Sequence, residues 1–435
     1  MTMRHLTPSE AAAVLEPRDT LVIPLGPGQP VTFLHALGER DDFVDLEIGG
    51  ALLVDLFEAL MKPGVRYRSG FFGPAERFLA ESGYAVEFIP AGFRQFGRIA
   101  EEVGARVVAT AAAPPDADGM LSLSLHAGAT LGEIHRAGRD PDRVLVAEAN
   151  PRLPRTFGLL PEYPHAIHVD EVDVLIDGDR EPIILEDPET GDVEQAIAEH
   201  VTRFVHDGTT LQTGIGAIPS AVVKLLSEQP GGEYGVHSEM FTTGLMHLHQ
   251  SGKVTNRRKG VHEGYSVTTF AAGTRELYDW LDGNDAVRFL PVSEVNDTDY
   301  IGDNNDMVTI NGALAVDLLG QVAADTIGPR QFSGIGGHED FVAGASIGLD
   351  DHSLVCLPST AHLGDTAASR IVTAFPAGTS VTTPRHVVDV VVTEFGAAEL
   401  AGRTVAERAR ALAEIAPPFA RDELRAAAAE FGTGR

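Results

Sequence analysis

The 435-residue sequence predicts an α/β fold with two open, mostly parallel sheets flanked by helices, one sheet in each of two domains. Short apolar runs rich in Val, Ile and Leu alternate with helical patterns, which is typical of βαβ units. An acidic stretch containing Pro and Gly interrupts this alternation near the middle of the chain, and the pattern restarts after it. Such a stretch is typical of a domain boundary.

The first half begins with a helix and continues with strands. Thr7 precedes Pro8-Ser9-Glu10 and an alanine run, so we expect a capped helix with Pro in its first turn. The next strand runs into the glycine turn Gly26-Pro27-Gly28. The predicted strands of this half are Thr20–Leu25, Phe43–Ile48, Ala85–Ile89, Arg106–Thr110 and Arg143–Glu148.

The domain boundary is predicted within Leu185–Asp192, and it divides the chain into α/β domains at residues 1–187 and 188–435. The second domain repeats the layout of the first without a clear repeat of residues. Its first elements are predicted as the helix Val193–His206, the strand Thr209–Gln212 and the helix Pro219–Ser227, and Pro418–Phe431 predicts a terminal helix.

Acidic residues outnumber basic residues by 63 to 33, and the net charge is −30. Nucleic acids and anionic membrane surfaces select basic patches, so we expect neither as a partner. An anionic ligand would be held locally, by backbone N–H groups or a few cations. No apolar run approaches the ~20 residues of a membrane span, and the first ten residues do not resemble a signal peptide, so we expect a cytoplasmic protein.

The sequence predicts no metal site. The single cysteine, Cys356, lies in an apolar run and excludes a disulfide framework and a Cys-rich zinc site. His237, His247 and His249 lie close together but lack the H-E-x-x-H spacing. The acidic segment 296–306 lacks the spacing of an EF-hand.

Glu239 is the candidate catalytic residue. It lies among apolar neighbours in Gly235–Phe241, at the end of a strand that has the composition of a buried one. Acidic side chains are seldom buried unless they are paired or functional. Glu239 is therefore a candidate nucleophile or base.

A glycine turn, Gly214-Ile215-Gly216-Ala217-Ile218-Pro219, precedes this stretch. Such a turn after a strand can bind an anion through backbone N–H groups, or it can be a tight βα connection. It also resembles a dinucleotide fingerprint, with Glu239 near the place of the ribose-binding acid. Pro219 stands in place of the third glycine, which weakens that alternative.

A second glycine cluster, Ser333–Phe341, includes Gly336 and Gly337 and suits a loop whose N–H groups face an oxyanion or a phosphate. Between the clusters, Asn311 lies in the segment Ile310-Asn311-Gly312. Its amide either caps local backbone or binds a ligand, and the sequence leaves both interpretations open.

Taken together, these segments resemble the acetyl-CoA hydrolase/transferase family, the class I CoA-transferases that include 4-hydroxybutyrate CoA-transferases. The matching segments span most of the chain in the order of the family. They are Glu148–Thr156, Gly214–Pro219, Gly235–Phe241, Val295–Asp297, Met307–Ala313, Val316–Val322, Gly334–Phe341, Thr383–Arg385 and Val392–Gly396.

The resemblance implies a homodimer of two-domain α/β chains without a tightly bound cofactor, acting on acyl-CoA and a small carboxylate such as acetate. It places the reactive glutamate at Glu239. It places the CoA-binding residues at Gly214, Ile215, Gly216, Ala217, Ile218, Asn311, Gly336 and Gly337.

The implied reaction passes through a mixed anhydride and a glutamyl-CoA thioester on Glu239. We expect this carboxylate to be ionised at neutral pH, so that no separate base is needed. A pocket open to water would give an acyl-CoA hydrolase instead, and an NAD-binding oxidoreductase is the alternative of another class.

The chain departs from the family pattern at Thr243, Tyr265 and His338, where the family often has Asp, Lys and Gln. These departures bear on the substrate rather than on the nucleophile. The basic run Arg257-Arg258-Lys259 is predicted as a solvated turn, with contact to coenzyme phosphates as the alternative.

Overall fold

The computed structural model describes residues 3–186, 188–346, 348–364 and 366–431. The chain forms two compact units, one of Met1–Glu186 and Val267–Val295 and the other of Asp187–Ser266 and Asn296–Arg435. Asp187, where the sequence places the domain boundary, lies outside the described residues.

The first unit is built on an eight-stranded sheet in which all pairings are parallel. Its spatial order is β1-β8-β7-β6-β2-β3-β4-β5. The strands are β1 (Arg4–His5), β2 (Arg18–Val22), β3 (Asp45–Gly50), β4 (Val65–Ser69), β5 (Val86–Phe88), β6 (Val107–Ala112), β7 (Val144–Ala149) and β8 (Val174–Asp177).

Helices cover both faces of this sheet. Successive strand residues point to opposite sides, and both sides carry apolar residues that must be buried. Leu21 belongs to one apolar core and Val22 to the other. The predicted capped helix is confirmed: Thr7 and Glu10 form a capping box at its start. The helices of this part are Pro8–Ala12, Val31–Gly38, Pro74–Glu81, Phe96–Val103 and Leu131–Arg139, and a two-stranded ribbon joins Met120–Ser122 to Ala166–His168.

The segment Val267–Val295 belongs to the first unit although it follows much of the second in sequence. The Ala271 amide donates to the Leu125 carbonyl at 2.8 Å, and the Tyr278 hydroxyl donates to the Ile183 carbonyl at 2.6 Å. The helices of the segment are Arg275–Leu281 and Val292–Val295, and its strands are Ser266–Thr268, Phe270–Ala271 and Val287–Phe289. The division into α/β domains at residues 1–187 and 188–435 does not include this return of the chain, and it stays a proposal.

The second unit has a six-stranded sheet in the order β10-β9-β11-β12-β13-β14. Only its last pairing, between β13 and β14, is antiparallel. The strands are β9 (Thr210–Thr213), β10 (Gly235–Val236), β11 (Met307–Gly312), β12 (His352–Cys356), β13 (Val390–Thr393) and β14 (Gly396–Glu399).

The helices of the second unit are Asp192–Val201, Ala217–Glu228, Thr243–Gln250, Thr298–Gly302, His338–Gly344, Val405–Glu414 and Arg421–Glu430. Its further short strands are Met240–Phe241, Ala315–Asp317, Val322–Ala323, Thr326–Ile327, Arg330–Gln331, Thr360–Leu363, Thr366–Ser369 and Ile371–Val372. Across both units the 3₁₀ turns are Gly26–Gly28, Glu58–Met61, Phe93–Gln95, Val169–Glu171, Thr202–Phe204 and Pro418–Ala420.

The predicted fold class is confirmed: helices flank two sheets that are parallel in all but one pairing. Among the described residues, no helix has the length and apolar character that crossing a membrane requires.

Candidate active site

Glu239 lies in the turn between β10 and the short strand Met240–Phe241. The Ser238 hydroxyl anchors this turn by donating to the Thr213 carbonyl at 3.1 Å. Thr213 ends β9, directly before Gly214. The candidate carboxylate and the glycine turn therefore leave neighbouring parallel strands at their carboxyl ends, where open α/β sheets bind ligands.

The Glu239 carboxylate is partly buried and is held by an amide against a glycine. Asn296 Nδ2 donates to Glu239 Oε2 at 2.6 Å. The same nitrogen lies 3.2 Å from Asp340 Oδ2, a second acceptor. A Cβ atom at Gly337 would lie 2.0 Å from Glu239 Oε2, so a side chain at position 337 would displace the carboxylate.

The sequence-based expectation of an ionised Glu239 at neutral pH is wrong for the free protein. Loss of hydration raises the pKa of Glu239 from 4.5 to about 8. The hydrogen bond from Asn296 opposes this rise, and the charge of Asp340 adds to it. Most Glu239 side chains therefore carry a proton at pH 7 in the absence of substrate.

A cavity of about 310 Å³ adjoins the first glycine turn. The residues that line it are Glu194, Gly214, Ile215, Gly216, Ala217, Ile218, Pro219, Ile310, Asn311, Gly312, Ala313, Cys356 and Pro358. Burial raises the pKa of the Cys356 thiol above its usual range, which keeps the thiol protonated and unreactive.

Two of the lining glycines are not required by the packing of the protein itself. Gly214 and Gly312 have no φ in the left-handed region, and a Cβ atom at either would meet no atom within 4 Å. Gly216 differs from Gly214 and Gly312. Its φ is +120° at the start of the helix Ala217–Glu228, a backbone conformation that disfavours any residue other than glycine. The empty space at Gly214 and Gly312 thus faces the cavity and is open to a ligand.

The Asn311 amide is paired within the protein. Its Nδ2 donates to Gln212 Oε1 at 3.2 Å, and Gln212 Oε1 also accepts from the Ile310 amide at 3.1 Å. Gln212 thereby fixes the side chain that the sequence left between a backbone cap and a ligand contact. Asn311 still lines the cavity, so a role in binding stays a prediction.

The cavity and the carboxylate are connected through His338. Its ring hydrogen-bonds the Gly312 backbone, and burial lowers its pKa to about 4, so the imidazole is neutral. His338 directly follows Gly337, which abuts Glu239. The structure therefore places Gly214–Ile218 and Asn311 around the cavity and Gly337 against Glu239. Gly336 directly precedes Gly337, and its role in binding stays a prediction.

Sequence reasoning missed Asn296 and Asp340 as parts of this site. Both are buried polar residues, and each lies inside a segment that the resemblance had already marked. The sequence signals that could have found them are the glycine cluster Ser333–Phe341, which contains Asp340, and the pair Asn296-Asp297. Only the folded chain shows that both meet Glu239.

The basic run divides into a buried and an exposed part. Lys259 is buried, and its Nζ donates to the carbonyls of Val236 and Tyr265, each at 2.9 Å. Arg257 and Arg258 are exposed. The prediction of a solvated turn is therefore wrong for Lys259, whose amino group is engaged by backbone carbonyls.

The parallel sheets define an α/β protein with a carboxylate and a glycine-walled cavity at the carboxyl ends of its strands. The sequence profile of the acetyl-CoA hydrolase/transferase C-terminal domain matches residues 273–428. The chain belongs to the acetyl-CoA hydrolase/transferase family and is an enzyme of the CoA-transferase class.

The similarity to relatives extends over nearly the whole chain. It is 35% identical to the 4-hydroxybutyrate coenzyme A transferase of Clostridium kluyveri, over 96% of each chain. It is 37% identical to the succinyl-CoA:cyclohexane-1-carboxylate CoA transferase of Geobacter metallireducens, over 97% of this chain and 94% of that one. The crystal structure of RipA from Yersinia pestis superposes with a TM-score of 0.89 at 31% identity, over 98% and 97% of the two chains.

Proposed function

We propose that the protein transfers coenzyme A from a short-chain acyl-CoA to a free carboxylate through a covalent intermediate on Glu239. The observation that carries the proposal is the position of Glu239 Oε2, 2.6 Å from Asn296 Nδ2 and against Gly337. A poorly hydrated carboxylate is a stronger nucleophile than one in water, once it has lost its proton.

The reaction balances without ATP or a metal. Ionised Glu239 attacks the thioester carbonyl; a carbon–oxygen bond forms, the carbon–sulfur bond breaks, and CoA leaves as the thiolate. The thiolate then attacks the glutamyl carbonyl of the mixed anhydride and releases the first carboxylate. An incoming carboxylate reverses both steps on the glutamyl-CoA thioester and leaves with CoA.

Both attacks place negative charge on an oxygen next to Glu239. Asn296 Nδ2 already donates to this side chain, and the backbone at Gly336 and Gly337 can approach it because neither residue has a side chain. Losing one such donor typically costs about 2.7–4 kcal/mol in the transition state. We assign CoA binding to the cavity walls at Gly214–Ile218 and Asn311.

Acyl-CoA and a small carboxylate such as acetate are the proposed substrates, and a homodimer is the proposed assembly. Both follow the resemblance to CoA-transferases. Light scattering on a size-exclusion column measures the mass of the assembly, and a 46.2 kDa particle would contradict the dimer.

Acyl-CoA hydrolysis is the second candidate, because the same carboxylate serves it when water replaces the incoming acid. The dinucleotide alternative loses its main support. Glu239, the acid it needs for a ribose, is engaged by Asn296, and Pro219 lies within the helix where the third glycine would stand.

The test is mass spectrometry of peptides after incubation with acetyl-CoA alone and trapping of the product. We expect a CoA or acyl adduct on Glu239 that disappears when acetate is added and acetyl-CoA is reformed. Longer acyl-CoAs are tried in parallel. No adduct on Glu239 with any acyl-CoA would overturn the proposal.

Glu239→Gln is the matched control, since it keeps the shape and removes the nucleophile. It should bind CoA, as judged by a rise in melting temperature, and should form no adduct. Release of free CoA in water without a carboxylate acceptor would favour the hydrolase.

A further inference from the structure

One amide nitrogen bridges two carboxylates in the second unit. Asn296 Nδ2 donates to Glu239 Oε2 at 2.6 Å and to Asp340 Oδ2 at 3.2 Å. Asn296 is fully buried and Asp340 is 4% exposed. Asp340 lies in the first turn of the helix His338–Gly344, three residues after Gly337.

Asp340 decides which end of the Asn296 amide faces the two side chains. An ionised carboxylate only accepts hydrogen bonds, so the amide nitrogen and not the oxygen must point to Asp340, and the same nitrogen then donates to Glu239. The orientation holds although it leaves Asn296 Oδ1 buried without a hydrogen-bond partner among the described residues. With Asp340 absent, the protonated form of Glu239 could donate to that oxygen, and the amide would be free to turn.

We propose that Asp340 is a positioning residue that holds the Asn296 amide nitrogen toward Glu239 and, through its charge, favours the acylated form of Glu239 over the ionised form. The proposal rests on the proposed covalent role of Glu239. Asp340 acts through Asn296 and through space.

The charge argument follows from the balance of the reaction. Ionised Glu239 carries one negative charge, whereas the anhydride and the thioester leave its side chain neutral. Repulsion from Asp340 is therefore relieved on acylation, as it is relieved on protonation. The charge of Asp340 raises the pKa of Glu239, whereas Asn296 and Gly337, which lie against the Glu239 carboxylate, are neutral.

Three variants separate the two effects. Asp340→Asn keeps an oxygen that accepts from Asn296 and removes the charge. Asp340→Leu has a similar volume and removes both. Glu339→Gln is the control, because it makes the same change of charge at the neighbouring position.

For Asp340→Asn we expect the acid-side limb of kcat/KM, where Glu239 loses its proton, to move to lower pH by about one unit. The equilibrium ratio of glutamyl-CoA enzyme to free enzyme, measured by mass spectrometry above pH 9, should fall by the same factor, about tenfold. The two changes must match, since both measure one interaction with ionised Glu239. A merely structural role would not link them.

For Asp340→Leu we expect kcat to fall on the order of 10- to 100-fold with KM for acyl-CoA little changed, because the amide is misplaced. Wild-type kcat and an unshifted pH limb in folded Asp340→Leu or Asp340→Asn would overturn the proposal, as would an equal shift in Glu339→Gln. Asp340→Asn carries the test if the Leu variant does not fold.

The outcomes keep the two proposals apart. If the wild type forms no adduct on Glu239, the proposed function fails. If the wild type forms the adduct and the Asp340 variants match it in rate, pH profile and adduct level, only the role of Asp340 fails.

Discussion

In the proposed reaction Glu239 must lose a proton before it attacks, and its poor hydration makes that loss harder. The pKa of about 8 predicts that kcat/KM for acyl-CoA rises about tenfold per pH unit below pH 8 and levels off above it. Initial rates between pH 6 and 9.5 measure the limb. Carboxylate acceptors titrate near pH 4–5 and do not interfere. A flat profile would place the pKa of the attacking group below 6.

Two glycines of the cavity wall are open to a matched test. A methyl group at Gly214 or Gly312 meets no atom of the protein but enters the cavity. For Gly214→Ala and Gly312→Ala we expect unfolding free energies within about 0.5 kcal/mol of the wild type and KM for acyl-CoA raised several-fold. Denaturant melts and steady-state kinetics measure the two effects.

The contrast is Gly216→Ala, where φ is +120° and the change should destabilise the fold by about 1 kcal/mol or more. If Gly214→Ala leaves KM unchanged, the first glycine turn does not approach the coenzyme.

Sequence reasoning reaches the candidate nucleophile, Glu239, but not its surroundings. Glu239 stands out because a charge among apolar neighbours is unusual. Asn296 and Asp340 do not stand out, because Asn and Asp commonly occur in turns and at helix starts. Their meeting with Glu239 depends on how β10, the helix Thr298–Gly302 and the helix His338–Gly344 pack, which no local pattern encodes.

At the scale of elements, β10 is short and is supported from the side by a lysine. The Lys259 stem crosses Gly235, where a Cβ atom would lie 2.5 Å from Lys259 Cγ. Its Nζ holds the Val236 carbonyl, three residues before Glu239. Burial lowers the pKa of Lys259 to about 7, while the two carbonyl acceptors favour the ammonium form.

The depressed pKa predicts a pH-dependent stability. Between about pH 7 and 10.5 the Lys259 amino group is protonated in the unfolded chain and mostly neutral in the folded chain. Burial of Lys259 therefore lowers the free energy of unfolding, and this loss diminishes as pH rises through that window. The free energy of unfolding of Lys259→Met, minus that of the wild type, should therefore increase as pH falls from 10 to 7. Each unit by which folding lowers the pKa of Lys259 contributes about 1.4 kcal/mol to this increase.

Denaturant melts at pH 7 and 10 check this slope. Lys253→Met is the control, since Lys253 Nζ also donates to two carbonyls but from a more exposed position. A slope shared by both variants would show that carbonyl contacts rather than burial cause it.

The elements that the sequence predicts best are those with continuous apolar runs. β6 and β7 lie within one or two residues of the predicted strands Arg106–Thr110 and Arg143–Glu148. β4 was missed, because Arg66 and Arg68 alternate with its buried residues. Those arginines are paired with Glu47 on the neighbouring strand β3, a contact that appears only once the strands are paired.

At the scale of the whole molecule, the net charge of −30 opposes the approach of a polyanionic coenzyme. The residues that line the cavity include the carboxylate of Glu194 and neither Lys nor Arg. We expect KM for acyl-CoA to fall as ionic strength rises from about 20 to 200 mM, because salt screens this repulsion. Steady-state kinetics at several NaCl concentrations measure the dependence of KM on ionic strength, and Glu194→Gln should make this dependence weaker. A KM that rises with salt would indicate basic groups at the binding site.

The order of units along the chain could not be predicted from the sequence. The strands and helices of Val267–Val295 have the same patterns as their neighbours, and periodicity says which face is buried but not against what. Only the long-range contacts, such as Tyr278 with Ile183, assign the segment to the first unit.

This return of the chain has a consequence for biosynthesis. Glu239 precedes Val267–Val295, and Asn296 is the first residue after it. The ribosome therefore makes the proposed nucleophile well before the amide that contacts it, and Asn296 directly follows a segment that packs against residues made much earlier. A nascent or half-folded chain would carry Glu239 without its partner. The contact between Glu239 and Asn296 therefore forms only after the whole segment Val267–Val295 has been made.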